Sequence, residues 1–208
     1  LNCAEVLVFY LGGMPGTVGT KTTGFNLNPL SPASTGGQRS PPLFQFDQGR
    51  LLDENGNGYY EYYPPHKRTV GDGVPPYVYF DFTSYPQPGP DGQWGAGGVN
   101  DNNSGANPNV PFTPDNITDN ILEAVWPLTN DIDFSFTMTG VSGVARPYAS
   151  TATGGWMNAD SFQIIGAGLD NDYGNILTRM FPSGGNYAPS DYDNVTNFST
   201  SRLEDAIP

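Results

Sequence analysis

The sequence predicts an α+β fold in which an apolar N-terminal helix packs on an antiparallel sheet, with long loops rich in glycine and proline. Three observations carry this expectation. Val6 to Leu11, within AEVLVFYL, is an unbroken apolar run, so every face of that segment is to be buried. IDFSFTMTG, Ile132 to Gly140, alternates apolar and polar residues, as a strand does in an antiparallel sheet with one wet face. The 27 glycines and 20 prolines fall just below the roughly 25–30% at which low-complexity disorder becomes the expectation. An aromatic content of 13% tips the chain toward a folded core.

Periodicity alone does not separate helix from strand in the first segment. The β-branched Val6 and Val8 and the aromatic pair Phe9 and Tyr10 favour a strand. The flank favours a helix, because Gly12 and Gly13 suit a C-terminal cap and Pro15 does not continue one. We therefore read Val6, Leu7, Phe9, Tyr10 and Leu11 as a helical core. The chain opens at Leu1 and not Met, so this reads as the end of a longer helix.

Residues 12–42 are loop chemistry, with Phe25 and Leu27 as anchors. LFQFD, Leu43 to Asp47, has strand alternation, and Tyr59 to Tyr63 and Tyr77 to Thr83 are aromatic-rich strand candidates. Residues 84–114 are too poor in apolar residues for a core and read as a surface insertion in a single domain spanning 1–208. A short helix is expected over 116–126, capped by Asp115 and ended by Pro127. Ser161 to Ile165 gives a last strand, and 166–208 a C-terminal coil. Phe134, Phe136 and Met138 are expected to face the helix.

A formal charge of −13, with eight lysines and arginines, excludes the electrostatic footprint of nucleic-acid binding. Cations are the expected partners. Asp53, Asn55, Asn57 and Gly58 match the first half of a calcium loop, D-x-[DN]-x-[DN]-G, with the Tyr59 carbonyl and Glu61 as further oxygens. The twelfth position is Pro64, where a bidentate glutamate normally closes the site, and a tight Asn-Gly turn accounts for the same letters. Asp170 and Asp172, with Asp191 and Asp193, place four carboxylates in one coil. Unless they point apart into water, calcium or arginines such as Arg179 and Arg202 must offset their repulsion.

No catalytic constellation emerges. His66 is the only histidine, it lies in a proline-flanked basic context, and no G-x-S-x-G exists. Asp131 and Asp133 share the wet face of one strand and do not span a cleft. Cys3 is the only cysteine, which excludes an internal disulfide. No apolar stretch is long enough to span a membrane.

Taken in order, AEVLVFYLGGMPG, GFNLNP, FQFDQGRLLDENGNGYYEY, PYVYFDF, WMNADSFQIIGAGLDNDYGN and DNVTNFSTSRLEDAIP resemble the extracellular or periplasmic heads of bacterial type IV pilins and type II secretion pseudopilins. The resemblance implies a structural subunit that assembles through an N-terminal helix into a homo-oligomeric helical filament. It also implies a pilin-like fold and calcium in the C-terminal loop, where Asp170, Asp172, Asp191 and Asp193 lie. The glycine, aromatic and glutamate signature that opens such proteins is not in this chain. Assembly is therefore assigned to an upstream segment or to a separate short helical chain. The rival expectation is a calcium-dependent all-β carbohydrate-binding or surface-layer module, with Trp94 and Trp156 as a sugar platform.

Overall fold

The computed structural model describes residues 1–16, 21–34, 36–67, 69–81, 134–138, 141–150, 155–174 and 179–206, with the backbone alone at 134–138 and 141–142. It corrects the α+β, pilin-like expectation. Among the described residues the regular structure is mostly strand, with one short α-helix, α1 (Cys3–Gly12), and several small sheets where one was expected. The physical reason lies in the punctuation: turn-forming Gly, Pro, Asn and Asp interrupt nearly every segment before it reaches helix length or a long strand.

Strands β1 (Leu51–Leu52) and β2 (Glu61–Tyr62) pair antiparallel. The central sheet has the order β3–β7–β9, built from β3 (Val78–Asp81), β7 (Phe162–Gly166) and β9 (Val195–Thr196), all antiparallel. β4 (Phe134–Met138) and β5 (Val141–Ala145) form a hairpin in the register Met138↔Val141. β6 (Ala149–Ser150) and β8 (Met180–Phe181) pair parallel. The expected strand at Leu43 to Asp47 is absent. That segment is instead tied to the helix end by Phe44 N–H donating to Leu11 O at 2.9 Å, and it buries Phe46. The expected 116–126 helix, the 84–114 insertion, Trp94, Asp131 and Asp133 lie outside the described residues, as do the side chains of Phe134, Phe136 and Met138.

The helix begins on a capping box. Asn2 Oδ1 accepts from the N–H groups of Ala4 and Glu5, each at 2.9 Å, while Glu5 Oε2 accepts from Asn2 N–H at 2.8 Å. It ends at Gly13, whose φ of 84° is open to glycine. Gly13 also has no room for a side chain, since a Cβ there would lie 2.2 Å from the backbone of Gly24. The helix is apolar nearly all round because both of its sides are covered. It packs on β3 and on β2, and it joins two clusters. Cys3 and Ala4 belong to the larger one with Val78, Phe80, Ile165 and Tyr173. Val8 belongs to the smaller one with Phe46 and Leu51, with Leu11 at its margin.

Deep burial makes the helix the sensitive element. Leu7, 4% exposed, loses about 2–5 kcal/mol of stability on substitution by alanine. Leu30, 90% exposed, changes by no more than about 0.5 kcal/mol. Chemical denaturation of Leu7→Ala and Leu30→Ala checks the contrast, and equal midpoints would remove the helix from the core.

Candidate functional site

The DENGNG loop is built from nested side-chain turns. Asp53 Oδ1 accepts from Gly56 N–H at 2.8 Å and Asn57 N–H at 3.1 Å, and its Oδ2 accepts from Gly58 N–H at 2.9 Å. Asn55 Oδ1 accepts from Asn57 N–H at 3.0 Å, and Asn57 Oδ1 from Tyr59 N–H at 2.9 Å. With both amide oxygens held by backbone donors, the amide nitrogens turn the other way. Both donate to Glu5 Oε1, Asn55 Nδ2 at 2.7 Å and Asn57 Nδ2 at 2.8 Å. Glu5 is 1% exposed, so the loop closes around a buried anion on the first turn of the helix.

A second buried carboxylate lies alongside. Asn2 Nδ2 donates to Glu61 Oε1 at 3.1 Å, and the Tyr63 hydroxyl donates to Glu61 Oε2 at 2.5 Å. Burial pushes the Glu61 carboxyl above its ordinary value; the bonds from Tyr63 and Asn2 oppose this, and the Glu5 and Glu54 charges reinforce it. Lys67 is buried as well, 2.5 Å from Glu54 Oε1 and over the ring of Tyr63 at 4.7 Å.

The structure thus brings Asp53, Asn55, Asn57 and Glu61 to one end of α1. The two asparagines present nitrogen to its centre where calcium takes oxygen. The Tyr59 ring packs edge-on against Phe9, with centroids 6.1 Å apart. Sequence reasoning missed Glu5 and Asn2 as members of this cluster, although the spacing Asn2-x-x-Glu5 before an apolar run is a helix-start signal.

The C-terminal acids divide between two fates. Asp191 is fully buried and pairs with buried Arg179, Nη1 to Oδ1 at 2.5 Å, while its Oδ2 accepts from Ala188 N–H at 2.6 Å. Arg179 also donates to Tyr173 O and, at 3.0 Å, to Val144 O, and its guanidinium lies 4.8 Å from the Tyr148 ring centroid. Burial works against the Arg179 charge, but Tyr148 and Asp191 more than offset it, and the arginine stays protonated. Buried Asn194 donates to the Tyr148 hydroxyl and to Tyr173 O, each at 3.1 Å. The expected arginine compensation therefore holds for Arg179. Arg202 instead faces Glu204 at 2.7 Å and Asp205 at 3.8 Å, on the surface.

Asp193 lies against the loop that carries Asp170 and Asp172. Asp193 Oδ2 accepts from Leu169 N–H at 2.6 Å and Asp170 N–H at 3.2 Å, and its Oδ1 is buried with no hydrogen-bond partner among the described residues. Gly168, with φ at 65°, lets Asp193 this close, since a Cβ there would lie 2.4 Å from the carboxylate. Burial raises the Asp170 carboxyl against the Asp172 N–H bond, and the charges of Asp193, Asp172 and Asp191 raise it further. Among the described residues no group of three or more His, Cys, Asp or Glu is set to hold a metal ion.

A cavity of about 380 Å³ is lined by Pro64, Pro76, Tyr77, Val195, His66 and Arg202, among others. His66 is exposed, with Nε2 3.0 Å from Asn171 Oδ1. Trp156, one of the two tryptophans expected as a sugar platform, is buried in the core. Among the described residues no helix is long and apolar enough to cross a membrane. Comparison with protein-family models, with curated proteins and with solved structures returns no match.

Two outcomes follow from this geometry. A carboxyl whose folded pKa is raised binds its proton more tightly in the folded chain, so stability falls as pH rises from the ordinary glutamate value through the raised one. Thermal melts from pH 4 to 7 therefore show Glu61→Gln losing less stability than wild type across that window, and parallel curves would contradict the assignment. Arg179→Met leaves Asp191 buried and alone and costs about 3–5 kcal/mol. Urea titration measures it, and a cost under about 1 kcal/mol would show that the pair is open to water.

Proposed function

We propose that this chain is the head of a non-enzymatic structural subunit of a surface filament or secretion pseudopilus, acting outside the cytoplasm and associating with copies of itself. The ordered sequence segments supply the resemblance. The observation that carries the reading is where the apolar surface lies. The segment following the helix exposes four large apolar side chains, Leu27 at 59%, Leu30 at 90%, Leu43 at 82% and Phe44 at 48%. Phe44 is bonded to the C-terminal end of α1 and stacks edge-on with Phe46, so this exposed ring is held on a rigid element. The charged groups point the same way. Glu5, Glu61, Lys67, Arg179 and Asp191 are consumed in internal bonds that stiffen the head.

Calcium fits one part of this reading. The partnerless buried oxygen of Asp193, next to Asp170 and Asp172, is the kind of group a bound cation satisfies. Asp193, with Asp170 and Asp172 beside it, would hold the ion, and Asp191 is committed to Arg179. Calcium would lock the C-terminal coil.

Two measurements test the proposal. Calcium at about 100-fold above its Kd adds about 2.7 kcal/mol by mass action, so the melt shifts upward against excess chelator. Identical curves would remove the ion. Wild type self-associates in concentration-dependent light scattering, and Leu43→Asp with Phe44→Asp abolishes this. A wild-type monomer at every concentration, together with no array in electron micrographs of the native source, would overturn the filament reading.

A further inference from the structure

The loop that closes on Glu5 contains two Asn-Gly pairs, Asn55-Gly56 and Asn57-Gly58. This dipeptide is the one most prone to spontaneous deamidation, because glycine leaves its backbone nitrogen unshielded. Here the space around both glycines is open, with nothing within 4 Å of where a Cβ would stand. The residues are exposed to solvent, and only their amide nitrogens reach inward. We propose that Asn55 and Asn57 are modification sites. Asp53 restrains their deamidation, and the conversion of either to an acid opens the clamp on Glu5.

The chemistry needs only water. The nitrogen of Gly58 attacks Cγ of Asn57, a bond from that nitrogen to Cγ forms, the bond from Cγ to Nδ2 breaks, and ammonia leaves with the proton lost by the glycine nitrogen. Water then opens the succinimide at either carbonyl, giving aspartate or isoaspartate. The same steps apply to Asn55 and Gly56.

Three kinds of contact oppose the attack. Both nucleophilic nitrogens are tied down through their N–H groups by one carboxylate, Gly56 to Asp53 Oδ1 at 2.8 Å and Gly58 to Asp53 Oδ2 at 2.9 Å. Each asparagine amide is held at its oxygen, Asn55 by Asn57 N–H and Asn57 by Tyr59 N–H. Each is also held at its nitrogen, by Glu5. Rotation of Cγ onto the following nitrogen therefore has to break bonds at both ends.

The product is not neutral to the fold. An aspartate at either position replaces a donor, less than 3 Å from Glu5 Oε1, with a second anion. Glu5 is 1% exposed, so water screens that repulsion poorly. The loop must swing out, and the turn of helix that Glu5 caps loses its anchor. The modification runs one way and acts where the helix meets the sheet.

Peptide mapping by mass spectrometry after incubation at mildly alkaline pH tests the restraint, and thermal melts test the consequence. Asp53→Ala accumulates acid at Asn55 and Asn57 several-fold faster than wild type, whereas equal rates would overturn the proposal. Should Asp53→Ala fail to fold, wild type is compared with and without urea. Faster conversion of these two residues in urea supports the restraint, and equal conversion overturns it. Asn57→Asp, made directly, melts several degrees below wild type; an unchanged melt would show that the clamp tolerates the product and would sink the second half of the claim.

Discussion

A carboxylate taken out of water must find donors or lose its charge, and Glu5 is the case on which this structure turns. It is the only charged side chain on α1 and it is 1% exposed. Three N–H donors meet it, one from the helix cap and two from a loop some 50 residues away, at 2.7–2.8 Å. Its position in the first turn also sets a negative charge at the positive end of the helix dipole. The same residue therefore starts the helix, closes the loop and fixes how β1 and β2 lie against the helix. An isolated helix of this length is marginal in water, so its stability has to come from such tertiary contacts.

The far end of the chain repeats this solution with the charges arranged differently. Arg179 and Asp191, both fully buried, tie the C-terminal coil to β5 through Val144 O and to the core through Tyr173 O and the Tyr148 ring. Long irregular stretches carry many backbone groups that no sheet ladder satisfies, and buried polar side chains take over that duty. Gln163 does so from within β7, accepting from Tyr148 N–H at 2.8 Å while donating to Met157 O at 2.8 Å. Among the described residues, four small sheets are stitched together by polar bonds of this kind.

Much of this was legible in the sequence, and the part that was not has a physical reason. The apolar run at Val6 to Leu11 and the glycine stop after it located the helix, because burial and capping are local signals. The strands at Val78, Phe134 and Phe162 fell where aromatic and β-branched residues cluster. The α+β class did not survive, since the small sheets come from pairings between short segments far apart in the chain, for which no periodicity exists. The Asp53, Asn55, Asn57 spacing was read as the first half of a calcium loop, whereas the structure turns both asparagine nitrogens onto a carboxylate. Its centre was unreadable, because the partner is Glu5, which lies 50 residues away from Asn55. Arg179 was named as a counter-charge for the acidic turns, but nothing in the sequence singled out Asp191 from its three neighbours. Burial decided that.

The central claim is that Glu5 and the loop asparagines act as one unit. A double-mutant cycle between Glu5→Ala and Asn57→Ala, read by urea denaturation, tests it most directly. The account predicts a coupling of about 1–3 kcal/mol, because removing either partner leaves the other little to lose. Costs that add independently, with coupling below about 0.5 kcal/mol, would mean that the loop and the helix are held by something else.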